Sequence, residues 1–271
     1  MVGVDLNTVA EICGADEAGP WRPGDAWLAG GTWLFSEPQP HLTRLRDLAG
    51  TGWPALQVAD RGLEIAATCT IAELSRFVPP ARWPGVAALI TQCCRSFVAS
   101  FKVWNVATVG GNLCNALPAG PMTSLTAALD GTCLLLAPDG SRREIPVTDL
   151  VVGDNTTSLS DGELVRSVTL PDAALRDVTA FRQASLYPVG RSAALLIGRL
   201  HEGSLVLTVT ASVARPLVLR FTGVPDAATL RESVEAAVPA WFCDVHGTPE
   251  WRRHRTVSLA EEIRSELEAV R

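Results

Sequence analysis

The residues with the clearest capacity for chemistry are two pairs of adjacent glycines, each flanked by groups that can donate hydrogen bonds. Thr108-Val109-Gly110-Gly111-Asn112 stands near the middle of the chain, and Leu28-Ala29-Gly30-Gly31-Thr32 repeats the arrangement near its start. Glycine removes the side chain where main-chain amides must come close to a ligand. The amides of Gly30-Gly31 and Gly110-Gly111, the hydroxyls of Thr32 and Thr108 and the amide of Asn112 together suit an anion nest for a diphosphate. Taken alone, each Gly-Gly reads first as a turn between strands, and the repetition is what argues for a site. Neither segment is a G-x-G-x-x-G opening a helix or a G-x-x-x-x-G-K-[ST] loop, which disfavours Rossmann and P-loop assignments.

Other chemistries find less support. No Ser lies in a G-x-S-x-G context, and the four His are too dispersed for a metal-ligand set, so no catalytic triad or metal site is expected. His254, within Trp251-Arg252-Arg253-His254, reads as a helix-surface residue. The seven Cys include no C-x-x-C, and the adjacent Cys93-Cys94 cannot serve one iron-sulfur cluster, so they read as reduced thiols of a cytoplasmic protein. A formal net charge of -6 gives no footprint for nucleic acid or for a basic membrane surface. No apolar run approaches the roughly 20 residues of a membrane span, and no signal region opens the chain.

With 271 residues, 47% of them hydrophobic, the chain can bury a substantial core and suits two or three compact units. Leu6, Val9, Ala10 and Cys13 have helical spacing, with Asp5 or Asn7-Thr8 as cap. Ala26 to Ala29 reads as a buried strand that delivers the first glycine pair. Leu42, Leu45 and Leu48 are compatible with a helical turn. Residues 55–59 and 63–67 flank Asp60-Arg61-Gly62 as a hairpin, and a helix follows from Ile71 with Thr68 or Thr70 as cap. A helix over 86–98 precedes a β-like run with Val103, Val106 and Val109 that enters the central glycines as an exposed turn. Further strands are expected over 132–137, 142–147 and 164–170, with a helix over 123–129 between the glycine motif and the first of them. Pro171-Asp172 marks a linker. Beyond it come strands over 179–184, 193–200, 205–214 and 218–221, and two helices, the second opened by Thr248-Pro249-Glu250.

At Ala29-Gly30-Gly31-Thr32, at Ala107-Thr108-Val109-Gly110-Gly111-Asn112-Leu113-Cys114-Asn115, at Phe181-Arg182-Gln183-Ala184-Ser185 and at Pro249 to His254, the chain resembles the FAD-binding medium subunit of the molybdenum hydroxylases. That family contains xanthine dehydrogenase, aldehyde oxidoreductase and carbon monoxide dehydrogenase. The resemblance implies an α+β fold, with a strand rather than a helical turn around Leu45. It comprises a two-part FAD-binding domain of the PCMH type shared with vanillyl-alcohol-oxidase-like flavoproteins, over residues 1–58 and 59–174. A C-terminal three-stranded antiparallel sheet covered by helices follows over 175–271. It further implies non-covalent FAD, with Leu28, Ala29, Gly30, Gly31, Thr32 and Trp33 and Thr108, Val109, Gly110, Gly111 and Asn112 at the diphosphate and ribityl region. Thr68, Val165 and Arg182 are further expected contacts. The family's role is electron transfer from [2Fe-2S] centres in a small partner subunit, through FAD, to NAD or another acceptor. A large molybdopterin subunit chooses the substrate.

Three positions depart from the family pattern. Pro121 stands where relatives often carry an Asp that helps hold the cofactor. Arg191 stands where they often place an aromatic or aliphatic side chain against the flavin, and Trp104 replaces a basic or polar residue. Two other readings therefore remain beside the redox subunit. One is a scaffold subunit with weakened FAD binding, and the other is a stand-alone FAD reductase.

Overall fold

The computed structural model describes residues 6–271. Asp5, one of the expected helix caps, lies outside the described residues. Three short strands open the chain: β1 (Glu11–Gly14), β2 (Asp25–Leu28) and β3 (Arg44–Asp47). They form a parallel sheet in the order β1-β3-β2. The helix expected up to Cys13 is absent among the described residues. Ile12 is 63% exposed, so the apolar spacing there is no buried stripe, and the main chain instead extends the β1-β3 ladder through Ala10 N to Thr43 O at 2.9 Å.

The ambiguous segment around Leu45 resolves as β3, because both of its faces are covered. Leu45 is buried on one face, and Arg44 and Arg46 are buried on the other. The carboxylate of Asp25 on β2 holds both guanidinium groups: Arg44 Nε and Nη2 donate to it at 2.7 and 2.6 Å, and Arg46 Nε donates at 2.9 Å. Carbonyls of Ala18 and Pro20 accept further Arg44 donors. Charges out of water persist only when paired and hydrogen-bonded in this way.

The hairpin β4 (Leu56–Ala59) and β5 (Gly62–Ala66) forms as expected. Helix α1 (Ile71–Ser75) is capped by Thr70, not Thr68, in a reciprocal box with Glu73. Next come α2 (Val86–Arg95), α3 (Phe101–Trp104), α4 (Val109–Asn115) and α5 (Pro121–Ala128). Strands β6 (Thr132–Leu136) and β7 (Arg142–Pro146), helix α6 (Val147–Leu150), the ribbon β8 (Val151–Gly153) and β9 (Thr156–Thr157), and strand β10 (Leu164–Pro171) complete this part. The sheet runs β4-β5-β10-β6-β7 and is antiparallel throughout. Its last strand in sequence lies at its centre, with Val165, Val168 and Leu170 buried.

After α7 (Asp172–Arg176), the strands β11 (Val178–Ala184), β12 (Ala194–His201), β13 (Ser204–Thr210) and β14 (Leu217–Arg220) form an antiparallel sheet in sequence order. This sheet has four strands rather than three, because β14 pairs with β13 over its whole length. Helices α8 (Ala227–Ala237) and α9 (Pro249–Ala269) cover it. Strand β12 is apolar on both faces for a physical reason. Leu196 packs with Leu259, Ile263 and Leu267 in the C-terminal core, whereas Leu195 and Ile197 join the core built on α2 and α5.

Helix α5 is fastened to this sheet at both ends. Near its start Ser124 and Thr210 hydroxyls share a 2.7 Å hydrogen bond, and Ala211 N donates to Pro118 O at 2.7 Å. Near its end the buried Arg199 donates to Ala128 O at 2.8 Å and pairs with Asp130 and Asp177. Four thiols are structural: burial pushes Cys69, Cys94 and Cys133 up to about 12 and Cys93 well above its ordinary value. Among the described residues no helix is long and apolar enough to cross a membrane.

The Asp25 cluster makes a stability prediction. The hydrogen bond from Arg44 leads the causes that hold the Asp25 carboxyl well below its usual range. A depressed carboxyl contributes stability above its unfolded value of about 3.9, and that stability is lost as pH falls through the folded value. Asp25→Asn leaves two buried cations without a counter-charge and should cost about 3 kcal/mol at neutral pH, read by urea unfolding. The deficit relative to the parent should shrink as pH falls below about 3.9, where the unfolded parent takes up a proton that the folded carboxylate still refuses.

Candidate functional site: a cleft where the two glycine motifs meet

The first glycine pair follows β2 directly. Gly31 adopts a left-handed φ of 67°, which starts a tight turn closed by Phe35 N donating to Gly31 O at 2.8 Å. The main-chain N–H groups of Gly30, Gly31, Thr32, Trp33 and Leu34 have no protein acceptor among the described residues. Five successive unpartnered donors around a left-handed residue are a concave anion nest.

The second motif is built differently from the expected exposed turn. The β-like run at Val103 is the helix α3, and Gly110 and Gly111 lie inside the first turn of α4. Thr108 caps that helix, its Oγ1 accepting from Gly111 N at 3.0 Å. Val109 N donates to Cys69 O at 2.8 Å and Gly110 N to Ala67 O at 2.9 Å, which clamps α4 onto the turn before α1. Gly110 is glycine because a Cβ there would lie 2.4 Å from Ala67 Cβ. Its amide and that of Gly111 are therefore spent within the protein, and the paired-amide nest expected at Gly110-Gly111 is not formed. The nest belongs to the first motif alone.

The two motifs nevertheless converge. A Cβ on Gly30 would lie 1.7 Å from Val106 O and 3.2 Å from Ala107 Cα, so the end of β2 rests on the main chain just ahead of α4. Between them opens a cleft of about 680 Å³. Leu28, Ala29, Gly30, Gly31, Thr32 and Trp33 all line it, as do Thr108, Gly111 and Asn112. The Asn112 side chain also ties the floor together, its Oδ1 accepting from Met122 N at 3.0 Å near the start of α5.

The other expected contacts lie elsewhere. Val109 and Gly110 are buried under the Ala67 turn, and Thr68 sits in that turn. Val165 is 1% exposed in the core on β10. Arg182 on β11 is drawn away by two carboxylates of α9, with Nε 2.9 Å from Glu262 and Nη2 2.6 Å from Glu266. It borders a separate depression between α2 and β11.

Sequence reasoning missed other wall residues. Phe97, Val98, Val103 and Leu117 supply apolar surface beside Leu34, and Asn155 enters from the loop between β8 and β9. Asn155 has a left-handed φ of 48° and donates its N–H to Ala116 O at 3.0 Å; its residue type was the only available signal, since Asn tolerates that region. Of the departures noted in sequence, Pro121 and Arg191 line the cleft, and Trp104 does not. Cys114 lies exposed on the wall.

Among the described residues no carboxylate lines the cleft. A recess with apolar walls, a run of free amides and no carboxylate among its described lining residues fits a dinucleotide whose diphosphate meets the nest. The fit does not involve the second glycine pair as a phosphate grip; there Gly111 keeps a side chain out of the recess and Thr108 retains a hydroxyl proton to donate.

Residues 6–173 match the model of the FAD binding domain in molybdopterin dehydrogenase. Xanthine dehydrogenase 2 of Arabidopsis thaliana is 31% identical over 140 residues, which is 48% of this chain and 10% of that protein. The glyceraldehyde dehydrogenase medium chain of Sulfolobus acidocaldarius is 35% identical over 74 residues, 27% of this chain and 26% of that one. The chain thus spans about a tenth of the length of the plant relative. Among solved structures, quinoline 2-oxidoreductase from Pseudomonas putida 86 superposes with a TM-score of 0.75 at 20% identity, covering 90% of each chain. Carbon monoxide dehydrogenase from Oligotropha carboxidovorans gives 0.74 at 20% identity over 91% of this chain and 90% of that one, a likeness of fold. With the cleft, the free-amide nest and a matching family model over most of its length, the chain belongs to the FAD-binding domain family of the molybdopterin dehydrogenases.

Proposed function

We propose that this chain is the FAD-binding electron-transfer subunit of a cytoplasmic molybdopterin-dependent hydroxylase or dehydrogenase. In this reading it takes electrons from [2Fe-2S] centres of a small partner subunit and passes them through non-covalent FAD to NAD or another acceptor. A large molybdopterin subunit performs the substrate chemistry. The observation that carries the reading is the meeting of the Gly30 to Leu34 amides with Thr108 and Gly111 in one cleft. FAD supplies the capacity to accept electrons singly and deliver them as a pair. The protein's own part is narrower. The free amides offset the diphosphate charge, the apolar walls at Leu34, Phe97 and Val103 exclude water from the flat rings, and Asn112 keeps α4 and α5 in register beneath them.

Pro121 favours a second reading, a scaffold subunit of the same complex, because no carboxylate is left to hold the cofactor's hydroxyls. Purified protein separates the two. The redox reading expects a yellow protein that releases close to one FAD per chain on denaturation and is captured with an iron-sulfur protein from its source. A colourless chain that takes up no added FAD would leave the scaffold.

Substitutions locate the cofactor. Gly111→Val puts a branched side chain into the recess and should weaken FAD binding at least about tenfold, a cost of about 1.4 kcal/mol, in fluorescence titration. Arg182→Ala should leave FAD affinity unchanged, since its guanidinium serves α9; it should lower stability by no more than about 1 kcal/mol, as is usual for half-exposed ion pairs. Gly30→Ala forces a methyl group against the Val106 carbonyl and should lower the thermal midpoint together with FAD retention.

A further inference from the structure

One set of cleft-lining residues carries positive charge. Arg191 is the one formally charged side chain that lines it, and it makes no ion pair or side-chain hydrogen bond among the described residues. It arrives on the segment between β11 and β12. The base of that segment is fixed by Ala193 N donating to Ala184 O at 2.8 Å and by the buried Arg252, which donates to the carbonyls of both Ala193 and Ala211. Ala211 N in turn donates to Pro118 O at 2.7 Å. Arg191 is thereby anchored near the turn that carries Gly120 and Pro121, the N-cap and first residue of α5. A helix N-terminus carries partial positive charge, and here Pro121 adds no carboxylate to cancel it. In the same first turn Thr123 is 2% exposed and its Oγ1 has no partner. That oxygen lies 3.2 Å from where a Cβ on Gly120 would stand. This wall lines the same cleft as the free-amide nest.

Resting on the proposed function, we infer that Arg191 sets the electron affinity of the bound flavin, with the isoalloxazine end of FAD against the Arg191 and Pro121 wall. Oxidised isoalloxazine is neutral. Two electrons, delivered singly by an iron-sulfur donor, and one proton taken up at N5 give a reduced ring with one negative charge spread over N1 and the C2 carbonyl. Positive charge beside those atoms stabilises the reduced form more than the oxidised one and raises the midpoint potential. Arg191 is a tuning residue and takes no proton or electron itself.

The test uses the purified full chain reconstituted with excess FAD, comparing the parent with Arg191→Gln and Arg191→Lys. The midpoint potential is measured by dye equilibration. Sulfite is the second probe, because its lone pair adds to N5 and leaves the same negative charge at N1. Arg191→Gln should lower the potential by about 30 mV, which for a two-electron couple is tenfold in the equilibrium constant, and weaken sulfite binding about tenfold. Arg191→Lys should restore most of both. An Arg191→Gln variant that binds FAD with unchanged potential and unchanged sulfite affinity overturns the inference while leaving the FAD assignment intact. Failure of the parent to take up FAD overturns the assignment and the inference together.

Discussion

The site depends on one close approach of main chain to main chain. The end of β2 rests against the carbonyl of Val106, at a separation that leaves no room for any side chain on residue 30. That contact brings a segment of the small parallel sheet against the helices of the larger antiparallel one. It also turns a local run of unpartnered amides into one side of a recess. Without it, Gly31 to Leu34 would be an ordinary solvated turn.

The surrounding architecture resists movement of the recess. Helix α4 is pinned from below by the turn at Ala67 to Cys69, and α5 is tied to the C-terminal sheet at both ends. Polar contacts do much of this work in buried places. Arg199 closes the end of α5, Arg252 bridges the strands beneath the Arg191 segment, and Asp25 holds two arginines within the first sheet. Losing one member of such a cluster strands the others, so these groups specify the arrangement of the units more than they add net stability.

The electrostatics of the recess differ from those of the protein as a whole. The chain has a formal net charge of -6, yet among the described residues its cleft presents free amides, a helix N-terminus and one guanidinium, with no carboxylate. An anionic dinucleotide is therefore attracted locally by a protein that repels anions at long range, an effect that ionic strength screens beyond about 10 Å. The replacement of an acid by Pro121, which in sequence reads as a weakened site, belongs with Arg191 to one consistent local field.

By itself the sequence determined the parts that depend on local chemistry. The helix cap at Thr248 and the hairpin around Gly62 were legible because turn and cap residues act within a few positions of themselves. Tertiary structure alone decided the rest. Apolar spacing around Leu6 and Leu45 could not reveal strands whose partners lie about 30 residues away or whose opposite face is filled by buried arginines. Adjacent glycines could not disclose that one pair offers its amides to a ligand while the other spends them on Ala67 and Thr108. Nor could a motif show that Arg182 is claimed by Glu262 and Glu266, some 80 residues further along, whereas Arg191 is left free in the cleft. Which donors and charges remain available is settled by long-range competition for partners, and that competition exists only once the chain is folded.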